Sequence, residues 1–506
     1  MKRVLPPDVA VPLHETAATR RIEERAQAAL GPQVLMQRAG LAVARLALAV
    51  APHARNVWVA AGPGNNGGDG FEAAVHLQRW GKHVEISSLA DATTQPADAR
   101  EALRCGRAAG VPIHAGSDIG FTPDLVIDAL LGVGARRAPQ AAMSELVRRI
   151  NAAPCPVLAV DVPSGLQADT GALLGADCVA ADHTLSLLTL KPGLFTGAGR
   201  DQAGTIWLDS LGIVDADVTP SAWLAGEREL RDLSPARRHA QHKGSFGNVA
   251  VVGGARGMSG AAWLAARAAL AAGAGRVYVD VLGQPDATHD PLRPELMFRA
   301  GWARSAPQVL ASSLVICGCG GGEAIRAVLP ALLSQVPRLV LDADALNAVS
   351  TDTSLQRLLK SRALRGHVTV LTPHPLEAAR LLGLDTAQVQ ADRLQVATRL
   401  GRAYDCVVVL KGSGTVVAGP LQPPSVNGTG NAALASAGTG DVLAGWLGGL
   451  WSQLDALSAQ QAAFNAARIA VFLHGQAADH TPTGPLRASE LMERMHALHA
   501  ARWATT

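Results

Sequence analysis

Small residues bracket polar ones at a few places along the chain, and those places could do chemistry. Gly62-Pro63-Gly64-Asn65-Asn66-Gly67-Gly68-Asp69-Gly70 stands between an apolar run and a helical pattern. Bare backbone N–H groups there can approach an anion at a helix N-terminus. A tight turn with Asp69 as N-cap would explain the glycines alone. Asn65, Asn66 and Asp69 add oxygens suited to a hard cation or to ribose hydroxyls. Asp128 closes one strand-like run and Asp161 another, with Ser164 just beyond. In a parallel sheet those strand ends converge on the asparagine loop; singly, each Asp is an ordinary cap or structural acceptor.

The second half repeats the theme. Asn427-Gly428-Thr429-Gly430-Asn431 is followed by Ala437-Gly438-Thr439-Gly440-Asp441, which leads into the apolar helical stretch Val442 to Leu450. Free N–H groups ahead of a helix suit a transferring phosphoryl group, and Asp441 is placed to accept a hydroxyl proton. The helix dipole alone also favours an aspartate in a first turn. Lys411-Gly412-Ser413-Gly414-Thr415, between two apolar β-like runs, is either a hairpin turn or a phosphate cradle with Lys411 as point charge. It is not a Walker A loop, because the spacing and following helix are wrong. Thr372-Pro373-His374-Pro375 aims a histidine rigidly from a strand end. Asp342 and Asp344 could be acidic metal ligands, although Asp344 also suits an N-cap. Cys317 and Cys319 lack further cysteines at metal spacing and read as packing residues.

The elements that must position these groups alternate. A helix-like stretch from Arg20 to Val50 precedes the strand-like Asn56 to Ala61, the helix Phe71 to Trp80 ending at Gly81, and strands Val84 to Leu89, Leu125 to Ala129 and Val157 to Val160. Such alternation predicts βαβ units with parallel strands. Between Asp215 and Gln241 the pattern lapses into a polar stretch with Pro235 and Arg237-Arg238-His239, which predicts a boundary. A second α/β series follows: Asn248 to Val252, a helix from Ser259 to Ala272, then Arg276 to Leu282, Leu314 to Ile316, Leu339 to Ala343, His367 to Leu371, and Cys406 to Ala418. Two α/β domains of unequal size, residues 1–224 and 225–506, account for the 506 residues.

Composition narrows the function class. Hydrophobic residues are 48% and charged ones 17%, which excludes disorder. A net charge of +3 and 4% aromatics give no nucleic-acid footprint. Pro6, Pro7 and Asp8 break any signal-peptide core, and Arg45 and Arg267 interrupt the long apolar stretches, so no membrane segment is expected. Six cysteines without CxxC pairing suit reduced thiols in a cytoplasmic protein. The low charge fraction is also what an oligomer interface would produce.

Four motifs in order, Leu35-Met36-Gln37-Arg38-Ala39-Gly40, Gly64 to Gly70, Asp128-Ala129-Leu130-Leu131-Gly132 and Val160-Asp161-Val162-Pro163-Ser164-Gly165, resemble the NAD(P)H-hydrate epimerase family. That resemblance implies a Rossmann-like fold that interconverts the R and S forms of NADHX and NADPHX. By it, Asn65, Asn66, Gly67, Gly68 and Asp69, with Gly132, Val133, Gly134, Ala135, Arg136, Arg137 and Ala138, would hold the dinucleotide. Asn66, Asp128 and Ser164 would bind potassium, and Asp161 would sit against the hydrated ring as general acid/base. His242-Lys243-Gly244-Ser245-Phe246-Gly247, Met258 to Ala262, Asp342 to Asn347, Thr372 to Pro375 and Ala437 to Asp441 resemble the ADP/ATP-dependent NAD(P)H-hydrate dehydratase family, which implies a ribokinase-like fold.

By that second resemblance Ala261, Gly322, His374 and Asp441 would contact the S hydrate. Lys411, Gly412, Ser413, Gly414, Thr415 and Gly440 would contact the adenine nucleotide. Asp441 would be the base, the Gly438 to Gly440 amides the anion site, and Mg²⁺ the partner of ADP. Cys319 stands where proline is usual, Leu376 where glycine is common, and Ala432-Ala433 where Pro-Gly is common. The implied protein is a bifunctional repair enzyme. Its rivals are a ribokinase-like small-molecule kinase with a regulatory nucleotide-binding module, and a scaffold that has lost its chemistry.

Overall fold

The computed structural model describes the chain apart from residues 5–6, 90–94, 215–216, 234–236, 285, 455–457, 481–483 and 504–506. Pro6, Asp215 and Pro235 lie outside the described residues. The chain divides into two compact units, Met1–Leu5 with Pro12–Trp223, and Pro6–Val11 with Leu224–Thr506. Both are α/β with largely parallel sheets, as the alternation predicts.

In the first unit the sheet runs Lys2–Arg3, Thr205–Asp209, His183–Leu187, Val157–Val160, Leu125–Ala129, Asn56–Ala61, His83–Ser88, Ile113–Ala115. Only the short first strand is antiparallel to its neighbour. Asn56–Ala61 is followed in sequence by His83–Ser88 on one side but pairs with Leu125–Ala129 on the other, so the strand order reverses between those two. Such a switch point opens a crevice at the carboxyl ends of the strands. Leu125–Ala129 and Val157–Val160 are buried at every position, which is why they read as continuous apolar runs rather than alternating ones.

In the second unit the order is Met297–Phe298, Arg276–Val281, Asn248–Gly253, Leu314–Cys317, Arg338–Leu341, Val368–Leu371, Val407–Leu410, then antiparallel Val416–Ala418 and Ser425–Val426. The helix Thr439–Trp451 is buried almost all round, so it is a core element rather than a surface one. Its Gly445 and Gly449 let it lie against Ser259–Ala271: a Cβ at Gly445 would stand 2.1 Å from the Ala265 carbonyl oxygen. No single helix among the described residues is long and apolar enough to cross a membrane.

Three local expectations are corrected. The helix expected over Arg20 to Val50 is two, Thr16–Leu30 and Val34–Val50, broken where Gly31 (φ 87°) and Gln33 (φ 66°) leave the helical region around Pro32. The helix after the asparagine loop begins at Asn65, with Gly64 as N-cap, so Asp69 is a helical residue and not a cap. Likewise Asp342, not Asp344, occupies the N-cap position of Ala343–Thr351, yet its side chain makes no capping bond.

Candidate active sites

In the first unit, the loops after four parallel strands enclose a cleft of about 400 Å³. Asp128, fully buried near the end of its strand, is the structural knot. Ser164 Oγ donates to Asp128 Oδ1 (2.6 Å), Ser164 N to Oδ2 (2.8 Å), and Leu130 N to Oδ1 (3.2 Å). The Leu131 amide donates in turn to Ser164 Oγ (2.8 Å). Burial pushes the Asp128 carboxyl up to about 6 against the opposing pull of these bonds. Asn66 packs on the same loop, since a Cβ at Gly132 would lie 3.2 Å from its Oδ1. Its buried Nδ2 has no protein partner.

Asn65, Asn66, Asp69, Gly132, Val133, Gly134, Ala135 and Asp161 line the cleft. Gly67 and Gly68 do not. They permit close packing instead: a Cβ at Gly67 would strike the Gly62 carbonyl oxygen at 2.0 Å, and one at Gly68 would strike Met36. Arg136 and Arg137 are exposed and lie outside the lining, and Ala138 packs beneath Gly175.

Asp161 follows its strand directly, with φ 67°. Its backbone N–H donates to Leu185 O (2.8 Å), and Leu187 N donates to its Oδ1 (3.1 Å). The buried Lys191 ammonium also donates to Oδ1. Burial raises the Glu23 and Asp69 carboxyls, and the Asp161 charge raises both further. Lys191 and Glu23 are site residues that sequence reasoning missed. Lys191 hides in an ordinary apolar stretch, and Glu23 in an amphipathic helix with many charges.

In the second unit, Cys319, Asp342, Thr372 and Lys411 come from loops after four adjacent parallel strands. Lys411 Nζ donates to Asp342 Oδ1 (2.7 Å), and Thr372 Oγ1 donates to the same oxygen (2.7 Å). Burial works against the Lys411 charge, but the Asp342 and Glu377 carboxylates outweigh it and hold the ammonium above its ordinary value. A Cβ at Gly440 would sit 3.5 Å from Lys411 Nζ, so the glycine turn and the helix N-terminus meet. Burial pushes Asp441, in that helix's first turn, up to about 6; Asp342 adds to the rise, while Cys319 and Lys411 oppose it.

The candidate ligand atoms of Cys319, Asp342 and Asp441 all lie within 4.8 Å of one another. Cys319 packs in the hydrophobic core as expected, and its thiol borders the two carboxylates as well. His374 is extended (φ −80°) and caps Pro375–Leu382, its Nδ1 accepting from Leu376 N (3.2 Å) and Glu377 N (3.4 Å). Ala261 abuts the Cys319-Gly320-Gly321-Gly322 loop, and Gly322 N donates to Asp344 Oδ2 (2.8 Å). In the Lys411–Thr415 turn, Thr415 Oγ1 donates to Gly412 O (3.1 Å), and Gly412 (φ 131°) and Gly414 (φ 64°) take conformations that favour glycine.

Residues 32–193 match the family described as YjeF-related protein N-terminus, and residues 249–497 match NAD(P)H-hydrate dehydratase. The chain is 38% identical over 477 residues to the bifunctional NAD(P)H-hydrate repair enzyme Nnr of Escherichia coli, covering 91% of this chain and 88% of that one. It is 34% identical over 480 residues to the Coxiella burnetii enzyme of the same name, covering 92% and 94%. Among solved structures it is similar to an ADP/ATP-dependent NAD(P)H-hydrate dehydratase from Bacillus subtilis co-crystallized with ATP/Mg²⁺ (28% identity, 54% of this chain and 96% of that chain, TM-score 0.45). With both halves matched in one polypeptide and relatives alike over nine-tenths of its length, the chain belongs to the bifunctional NAD(P)H-hydrate repair enzymes.

Proposed function

We propose that residues 1–224 interconvert R and S NADHX and NADPHX, and that residues 225–506 dehydrate the S form to NADH or NADPH with ADP as phosphoryl donor. The supporting observation is that one chain carries both a cleft holding Asp161 and a strand-end cluster joining Asp441 to Lys411. Hydration of the reduced ring puts a hydroxyl on the carbon bonded to the ring nitrogen. When that hydroxyl is protonated it leaves as water, the nitrogen lone pair forming a C=N bond; water returning to the other face and losing a proton gives the other epimer. Asp161 moves those protons.

In the second half, Asp441 takes the proton of the ring hydroxyl as its oxygen attacks the terminal phosphoryl of ADP and AMP departs. Phosphate then leaves the carbon as the neighbouring carbon gives up a proton, restoring the double bond. Lys411 and the N–H groups at the start of Thr439–Trp451 face the transferring charge.

Asn66, Asp128 and Ser164 carry side-chain oxygens at neighbouring loops of the cleft, the donor type a hard monovalent ion takes; they would hold potassium. That ion would supply fixed positive charge beside the dinucleotide. Mg²⁺ would come as the partner of the nucleotide and would neutralise its phosphate charge. Six free cysteines support a cytoplasmic location.

The test is incubation with mixed NADHX epimers, Mg²⁺ and ADP or ATP, following dihydronicotinamide absorbance and free phosphate. Recovery of NADH with phosphate release is expected. No recovery with either nucleotide, or a stable phosphorylated product, overturns the dehydratase assignment. Asp441→Ala should abolish recovery, and Asp161→Ala should leave only the S epimer consumed at an enzymatic rate.

A further inference from the structure

We propose that Lys191 is the positioning residue of the epimerase site, holding the Asp161 carboxylate without touching substrate; this rests on Asp161 being the group that moves protons. The Lys191 side chain is wholly buried. Besides the bond to Asp161 Oδ1, its ammonium donates to Leu187 O (2.7 Å) and Thr189 O (3.0 Å), with Ser186 Oγ more distant at 3.4 Å. An ammonium has three N–H donors, so the close partners use them all and none is left for a ligand.

Those partners tie together two loops that lie in sparsely populated backbone. Asp161 and Leu188 both have φ 67°, although neither is glycine. Such residues persist only where surrounding bonds over-determine them, and they cluster at functional sites. Lys191 and the Leu187 amide both engage Oδ1, so neither takes up Oδ2. The charged groups around Asp161 are Glu23 and Arg20 from Thr16–Leu30, Asp69 from Asn65–Arg79, and Lys191 itself. Without Lys191, the carboxylate would share the cleft with two acidic side chains and one arginine.

The experiment uses the full chain without nucleotide, separating R and S NADHX by chromatography as they interconvert. Lys191→Met should lower epimerase kcat about 100-fold at neutral pH, as expected for a misplaced catalytic group. KM for the R form should stay within about threefold of wild type. A purely structural role would not confine the loss to kcat in a folded protein. Dehydration of the S form by the same preparation reports that the second unit remains folded.

Should Lys191→Met unfold the first unit, Lys191→Gln keeps a donor toward the two carbonyls without the charge, and the same slow kcat with KM retained is expected. A wild-type rate in the folded variant, or a loss confined to KM, overturns the proposal. Asp161→Asn separates the two ideas: it should be inactive at every pH, and if it turned over normally the reading of Asp161 would fall first.

Discussion

Asp441 sits in the first turn of Thr439–Trp451 with its carboxyl pushed up to about 6, chiefly by burial. Two consequences of opposite sign follow. As a base it must be ionised, so dehydratase kcat should fall as pH drops through about 6. For stability, a carboxyl whose folded value is raised favours the fold while protonated. That contribution is fully present below its unfolded value and is lost as pH rises through about 6. Asp441→Asn should therefore unfold at higher denaturant than wild type at pH 8, by about 1–2 kcal/mol, while losing dehydratase activity. Equal stability at pH 8 would contradict the burial argument. The sequence pointed to this residue because an aspartate after three small residues at a helix start is uncommon without a ligand. It could not point to Asp342 as the acceptor for Lys411, since that contact joins positions far apart in the chain.

Elements hold these residues by close approach. Thr439–Trp451 reaches its place by laying Gly445 and Gly449 over Ala265 and Ala269, and Gly448 over Ile316. Gly445→Ala forces a methyl into the Ala265 carbonyl, which should cost about 1–3 kcal/mol and displace Asp441. The expected outcome is a lower denaturation midpoint for the dehydratase unit and a lower dehydratase rate, with epimerase activity unchanged; loss of both activities would argue against so local an effect. The central strands of both sheets were readable because apolar runs between turn residues leave few alternatives, whereas Ile113–Ala115, His183–Leu187 and Thr205–Asp209 went unread because polar residues interrupt them. Helix ends were less so. The break at Gly31-Pro32 is conspicuous in hindsight, but the amphipathic pattern runs through it. Asn65–Gly70 looked like loop because glycine is a poor helix former, and here it is tolerated because a side chain would collide with Gly62, Met36 or Ala129.

At the scale of the whole molecule, each unit has its own buried core, and the chain does not divide between them at a single point. Pro6–Val11 belongs with the second unit: Glu227 N donates to Pro7 O (3.0 Å), Arg228 N donates to Asp8 O (2.8 Å), and a side chain at Gly226 would strike the Val9 backbone. A fragment of residues 225–506 should therefore keep dehydratase activity but lose it at lower urea than the full chain, by about 1–3 kcal/mol for the missing backbone bonds. Identical midpoints would show that the segment adds nothing. By itself the sequence determined the α/β class, the order of the two halves and the chemistry available at each, because these follow from local periodicity and from small residues adjoining polar ones. Only the tertiary structure decided that Lys191 lies buried against Asp161, that Cys319 joins Asp342 and Asp441, and that Arg136 and Arg137 lie outside the cleft. Contacts between distant positions depend on how strands stack and loops return, and short-range patterns in a sequence carry no record of that.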